Sequence, residues 1–318
     1  MPGKDSQKIL VILGPTASGK TKLAVALAQK FNGEIISADS RQVYRGMDIG
    51  SGKDLNSYQS LVVSRQSGKE EIVSIPYHLI DVADPNDNFT VGDFVAQANK
   101  AIAEIVERGK LSIVCGGSGL YLQALIDGYD LSAVSVSDLQ AREDLENLSL
   151  EELQQRLQKL NPKFFAELNN SDVNNKRRLS RYLEILHTTK FLPQKTKPNF
   201  DCLLLGLQPS AEVLAERIAA RCEQRLQAED MIGEVARLNN EGVSWKRLES
   251  FGLEYKFIAY YLQGKLDEEQ LREQIIKASI QFAKKQITWF ARWEKQGTRI
   301  EWIDSFEEAE KLVDKFLL

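Results

Sequence analysis

The octet Gly14-Pro15-Thr16-Ala17-Ser18-Gly19-Lys20-Thr21 constrains this chain more than any other feature, because it lies between an apolar run, Ile9 to Leu13, and a helical pattern that begins at Gly19. A glycine-framed loop between a strand and a helix turns backbone amides inward around phosphate oxygens. Gly14 and Gly19 permit that turn, Lys20 adds a point charge, Thr21 offers a hydroxyl to magnesium, and the helix N-terminus adds its dipole. The plainer alternative is a glycine-rich strand-to-helix turn; the spacing and the context favour phosphate binding. The motif therefore predicts a grip on a diphosphate or triphosphate without naming the compound.

Along the first 130 residues short apolar runs alternate with helical patterns, which predicts a parallel sheet covered by helices. Strands are expected at Ile9 to Leu13, Glu34 to Asp39, Tyr77 to Val82 and Leu111 to Cys115. Helices are expected from Gly19 to about Phe31, from about Val91 to Arg108, and after Gly119. Between Leu148 and Lys190 the pattern turns polar and helical, with no strand candidate. It resumes as a strand at Cys202 to Leu207, long amphipathic helices follow, and a short last strand is expected at Arg299 to Ile303. The predicted fold class is α/β: a P-loop NTPase-like parallel sheet flanked by helices, with an all-helical insertion domain. Residues 1–130 and 196–318 form the catalytic core with its C-terminal helices, and residues 131–195 form the insertion.

Composition narrows the function classes. A chain of 318 residues, 43% of them hydrophobic, buries a full core. No apolar run reaches the about 18 residues of a membrane span, and Met1 leads into the first strand without a signal-peptide pattern, so a cytoplasmic protein with no membrane partner is expected. Cys115, Cys202 and Cys222, with His78 and His187, are too scattered for a disulfide framework or a zinc site. A formal net charge of −4 argues against a uniformly basic nucleic-acid surface but leaves room for local basic patches.

Asp39 ends the strand that follows the phosphate-loop helix, and ligands of parallel sheets gather at the carboxyl ends of strands. A carboxylate there takes a proton from a nucleophile, coordinates magnesium through water, or caps the following turn; position alone does not choose. Gly116-Gly117-Ser118-Gly119 brings amides and a hydroxyl to the same edge, though alone it reads as a helix-starting turn. Lys176, Arg177, Arg178 and Arg181 place four cations within six residues, a pattern that is usually a solvated helix face.

Several blocks together resemble the tRNA dimethylallyltransferases, also called tRNA isopentenyltransferases. They are Gly14 to Thr21, Ile36 to Gly50, His78 to Asp81, Gly116 to Tyr121, Arg177 to Glu184, and Ala283 to Phe290, in the family's order over most of the chain. The resemblance implies transfer of a dimethylallyl group from dimethylallyl diphosphate to N6 of adenine 37, next to the anticodon of tRNAs reading codons that start with U. It implies that the loop from Gly14 to Thr21, with Arg221 and a Mg2+ on Thr21, holds the diphosphate as leaving group. Asp39 is then the general base, and Ser118, where most members have Thr, lines the reaction channel. The adenine must leave its stack to reach that channel. The grip on the tRNA anticodon stem-loop is implied for Asp39, Ser40, Arg41, Gln42, Arg142, Arg177, Arg178 and Arg181, and a monomer is expected.

The chain departs from the family's pattern at Ser279 and Ile280, where a Thr-Arg pair is usual, at Lys285, where an arginine is usual, and at Gly50-Ser51-Gly52-Lys53. Two other classes share parts of the pattern. An adenylate isopentenyltransferase has the phosphate loop and the carboxylate of Asp39 but lacks a helical insertion of this kind; a small-molecule P-loop kinase would use the loop with a nucleotide triphosphate.

Overall fold

The computed structural model describes residues 7–63, 70–128, 145, 147–189 and 200–318. Its strands are β1 (Gln7–Leu13), β2 (Gly33–Ser37), β3 (Gln59–Val63), β4 (Glu70–Ser74), β5 (Tyr77–His78), β6 (Leu111–Gly116), β7 (Phe200–Gly206) and β8 (Glu301–Trp302). Six of them form one parallel sheet in the order β5-β2-β6-β1-β7-β8. The uninterrupted apolar run of β1 suits its central place, because both faces of a parallel sheet are covered. Ile9, Val11 and Leu13 enter one core, and Leu10 and Ile12 enter the other.

The helices supply the two covers. α1 (Lys20–Lys30) packs Leu23, Ala24, Leu27 and Ala28 on one face, while α2 (Val91–Glu107) packs Phe94, Ala98, Ile102 and Ile105 on the other, joined there by α3 (Gly119–Asp127). Thr90 and Asp93 form a capping box that starts α2.

Two compact units divide the chain, Asp127–Lys197 and the remainder, Met1–Ile126 with Pro198–Leu318. The smaller unit carries α4 (Leu150–Leu160), α5 (Pro162–Glu167), α6 (Asn170–Val173) and α7 (Lys176–Thr189) around a leucine core that includes Leu153, Leu157, Leu179 and Leu183. Ser149 with Glu152, Asn161 and Asn169 cap the first three. The larger unit closes with α8 (Ala211–Gln227), α9 (Met231–Asn240), α10 (Trp245–Ser250), α11 (Leu253–Leu262), α12 (Glu268–Lys295) and α13 (Phe306–Leu317). Tyr255, Phe290 and Trp293 are buried there, so these aromatics serve the core.

Two elements differ from the sequence reading. The strand expected over Tyr77 to Val82 stops at His78, because Leu79 and Asp81 take left-handed backbone angles with φ of 62° and 58°. β3 and β4 form an antiparallel hairpin outside the main sheet, paired from Gln59↔Ser74 to Val63↔Glu70, which the reading missed. Its signal was present: two β-branched runs separated by a short polar segment containing Gly68.

Near the start of β2, Glu34 is buried yet charged. It accepts hydrogen bonds from Arg108 Nη2 at 2.6 Å and Lys110 Nζ at 2.9 Å, and lies 2.7 Å from His78 Nε2. Burial pushes its carboxyl up, but the hydrogen bonds from Arg108, Lys110 and His78 outweigh it and bring the pKa down to about 2. A depressed carboxyl contributes stability that is fully present above its unfolded value near 4.5 and is lost as pH falls toward 2. Glu34→Gln is expected to lower unfolding stability at pH 7 by about 3 kcal/mol. Urea titrations should also show that the loss of stability between pH 4.5 and pH 2 is smaller in the variant than in the parent.

Candidate active site

Parallel register brings four loops to one edge. Leu13 is aligned with Gly116 of β6 and with Gly206 of β7, and Ser37 with Cys115, so these strands end level. The loops are sewn together there. Leu207 N–H donates to Leu13 C=O at 2.9 Å, Ala38 N–H to Cys115 C=O at 2.8 Å, and Ser118 N–H to Ala38 C=O at 3.3 Å. Gly14 is required by this closeness, since a Cβ on it would stand 2.6 Å from Leu207 C=O.

The phosphate loop turns through left-handed angles at Ala17 (φ 63°) and Gly19 (φ 92°). Most of the described helices have a side-chain N-cap, but α1 has Gly19 at that position, with no side-chain cap and no acidic residue in its first turn. Its N-terminal amides therefore meet no capping side chain, an arrangement that suits an anion. Lys20 Nζ reaches back to Pro15 C=O at 3.3 Å, and burial lowers its pKa while the charge of Asp39 opposes that shift. Ser18 is buried with an unpartnered hydroxyl.

A cleft of about 730 Å³ opens in front of the loop. Ala17, Gly19, Lys20, Thr21, Asp39, Arg41 and Gln42 line it together with Gly50 to Gly52, Asp54 and three arginines of α8. Its cations are Lys20, Lys22, Arg41, Arg217, Arg221 and Arg225, against the carboxylates of Asp39, Asp54 and Glu254. That balance suits a polyanion. Arg221 Nη2 donates to Thr16 Oγ1 at 2.7 Å; burial and then Arg225 push its guanidinium down to about 10, which leaves it charged at neutral pH. Arg217 approaches Ala17 C=O at 3.4 Å, and Arg225 lies 3.8 Å from Glu254. Gly14, Pro15, Thr16 and Ser18, expected from the sequence to hold the diphosphate, are not among the residues that line the cleft.

Asp39 lines the cleft and accepts the Arg41 N–H on Oδ1 at 2.9 Å. Ser118 is not among the cleft-lining residues; its hydroxyl accepts the Ser40 N–H at 3.2 Å and so braces the turn after Asp39. Gln42 accepts from Ser37 Oγ at 2.8 Å and donates to Gly52 C=O at 3.0 Å, so its amide is engaged within the protein. Arg41 donates to Phe251 C=O at 3.1 Å and stacks over Phe282. In the smaller unit Arg178 pairs with Asp172 and Arg181 with Glu184, the latter at 2.7 Å, while Arg177 is exposed. Arg142 lies outside the described residues.

Sequence reasoning missed three sets of supporting residues. Arg217 and Arg225 flank Arg221 at four-residue spacing, a repeat that places all three on one face of α8 and was legible as such. Buried Glu234 accepts the N–H groups of Asp48, Ile49 and Gly50 at 2.9, 2.6 and 3.1 Å and the hydroxyl of Tyr255 at 2.8 Å, fixing the cleft wall that ends at Gly52. Buried Lys53 holds the same segment through Tyr44 C=O at 2.7 Å, Asp48 at 2.6 Å and Asp81.

A family model described as IPP transferase matches residues 42–293, and one described as isopentenyl transferase matches residues 7–62. The chain is 43% identical over 296 residues to tRNA dimethylallyltransferase 1 of Geotalea daltonii, covering 93% of this chain and 90% of that one. It is 42% identical over 301 residues to the protein of the same name from Syntrophus aciditrophicus, covering 94% of each. The crystal structure of the full-length tRNA isopentenylpyrophosphate transferase of Bacillus halodurans superimposes with a TM-score of 0.65 at 33% identity, over 98% of this chain and 95% of that one. A eukaryotic dimethylallyltransferase acting on tRNA gives a TM-score of 0.73 at 29% identity, over 89% of this chain and 70% of that one. A phosphate loop facing a strand-end carboxylate across a cationic cleft is thus met here in a chain that belongs to the tRNA dimethylallyltransferase family.

Proposed function

We propose that the protein transfers the dimethylallyl group of dimethylallyl diphosphate to N6 of adenine 37 of tRNAs that read codons beginning with U, acting as a cytoplasmic monomer. The observation that carries this reading is the meeting of the phosphate loop and Asp39 in one cationic cleft. Attack by N6 on the dimethylallyl carbon forms a carbon–nitrogen bond, breaks the carbon–oxygen bond to diphosphate and releases a proton from the amine. Each charge that develops has a counterpart. Lys20, Arg217, Arg221 and the free amides of α1 receive the departing diphosphate, and Asp39 Oδ2 receives the proton.

The donor set also fits a phosphate-borne magnesium. Among the described residues no three His, Cys, Asp or Glu side chains form a metal cage, but the cleft presents the hydroxyl of Thr21 with the carboxylates of Asp39 and Asp54. Mg2+ is commonly held by one or two such oxygens, the substrate's phosphates and water. When bound, it would neutralise charge on the diphosphate; Thr21 is the protein ligand proposed for it. The P-loop is thereby used without a nucleotide triphosphate. Purified protein is expected to bind dimethylallyl diphosphate, and phosphorylation of a small alcohol from ATP without transfer to tRNA would replace this reading with the kinase one.

The smaller unit, residues 131–195 in the sequence reading, is proposed to grip the anticodon stem-loop through α7. Because Arg178 and Arg181 already pair with Asp172 and Glu184, exposed Arg177 is the most available of the three arginines to RNA phosphate. Arg177→Ala is expected to weaken stem-loop binding and to reduce the slope of log affinity against log salt by about one counterion. An unchanged slope, also in the variant with Arg177, Arg178 and Arg181 all replaced by alanine, would return α7 to a solvated helix face.

Asp39→Asn keeps the oxygen that accepts the Arg41 N–H but cannot take up a proton. Single-turnover transfer to a stem-loop is expected to fall about 10²- to 10⁴-fold with donor affinity nearly unchanged. Lys20→Ala should instead weaken donor binding as well as transfer, because its charge meets the phosphates before and during bond breaking. Transfer by Asp39→Asn at the parent's rate would remove Asp39 as the base.

A further inference from the structure

α12 is a 28-residue helix whose buried seam runs Leu271, Ile275, Ser279, Ala283, Gln286, Phe290 and Trp293. Gln286 is a long polar side chain in that seam, and only 6% of it is exposed. A carboxamide so placed is stable only if both of its ends are hydrogen-bonded. Both are, and neither partner belongs to its own helix. Oε1 accepts the N–H of Thr16, inside the phosphate loop, at 2.8 Å. Nε2 donates to the C=O of Gly117, in the loop after β6, at 2.8 Å. Gly117 has no room for a side chain because a Cβ there would run into the Gln286 amide.

We infer that Gln286 is the positioning residue of the donor site, setting the shape of the phosphate loop by tying it to the β6 loop; the inference deepens the proposed function by naming what holds its diphosphate cradle. Thr16 is fixed at two points, its N–H by Gln286 and its hydroxyl by Arg221. The Thr16 N–H is thereby turned to the protein, while Ala17, Gly19, Lys20 and Thr21 face the cleft. The left-handed angle at Ala17 immediately follows. A non-glycine residue keeps such an angle only where its surroundings impose it. Without the acceptor on Gln286, the Thr16 N–H has a reason to turn into the cleft, and the amides that meet the diphosphate move with it. Gln286 itself does not line the cleft, so its effect on the diphosphate passes through the loop.

The test compares Gln286→Met, which keeps length and loses both hydrogen bonds, with Gln123→Met as control. Gln123 is also a buried amide, accepting from Trp289 Nε1 of α12 at 3.1 Å and donating to Oε1 of Gln296, just past the end of that helix, at 2.9 Å, and neither partner lies in the phosphate loop. Binding of inorganic pyrophosphate with magnesium is read by calorimetry, and thermal unfolding is read in parallel. Gln286→Met is expected to bind pyrophosphate about tenfold or more weakly, and Gln123→Met as the parent does. Equal affinity in the parent and both variants, or an equal loss in the two variants, overturns the inference. Should Gln286→Met fail to fold, Gln286→Glu decides. Its carboxylate keeps the acceptor for Thr16 but faces Gly117 C=O with no proton, and protonation restores the donor. Pyrophosphate affinity relative to the parent should then recover as pH falls through the carboxyl range, and a ratio independent of pH overturns the inference. These outcomes are separate from those of the proposed function, because a parent that binds pyrophosphate but transfers nothing to tRNA defeats only the latter.

Discussion

Everything at the site depends on four parallel strands ending level. With Leu13 beside Gly116 and Gly206, and Ser37 beside Cys115, the backbone that leaves each strand has nowhere to go but over the same edge. Hydrogen bonds between the loops follow from this register rather than causing it, and they fix Asp39 against the β6 loop and the phosphate loop against β7. A slip of one residue along β1 would exchange its two apolar sets between the cores that now receive Ile9, Val11 and Leu13 on one side and Leu10 and Ile12 on the other. The register of the sheet and the geometry of the cleft are thus one constraint, set by burial.

Charge is arranged against that frame in two ways. On β2, Glu34 is a buried carboxylate with three basic partners, and its charge is matched within the protein. In the cleft the cations outnumber the carboxylates, and Lys20 and Arg221 are both pushed toward neutrality by burial. A group held in that condition gains from an anion more than a solvated one does, since the protein does not already match its charge. A polyanion such as the diphosphate of the proposed donor would complete the electrostatics of the cleft. The absence of a side-chain cap on α1 is the backbone's version of the same arrangement.

How much of this was legible depended on the sequence distance between partners. The phosphate loop and Asp39 were readable because the strand, turn and helix that place them are contiguous, and α7 because its leucines repeat at helical spacing. Arg221 entered only through a family resemblance, although its repeat with Arg217 and Arg225 lay in plain view on α8. Glu234 and Gln286 were not legible as supports of the site. Their partners lie about 185 and 270 residues away in the chain, and a glutamate or glutamine on an amphipathic helix looks alike whether it faces water or a loop brought in by the sheet. The truncation of β5 has a similar origin. Asp81 is drawn to buried Lys53, and Ala83 forms a bridge with Tyr44, so tertiary partners override the local extended pattern after His78.

The two carboxylates nearest the arginines show how environment separates roles that residue type alone leaves equal. Glu254 is buried beside Arg225 at 3.8 Å, and the attraction of that guanidinium holds it as a structural counterion. Asp39 lies just past the end of β2 and lines the cleft, with one oxygen engaged by the Arg41 N–H. Asp39 takes its one hydrogen bond from a neutral amide, which orients the carboxylate, and its charge supports Lys20 and Arg221 across the cleft. Asp39, the carboxylate proposed as the base, is the one whose direction is fixed by a neutral amide rather than by an arginine.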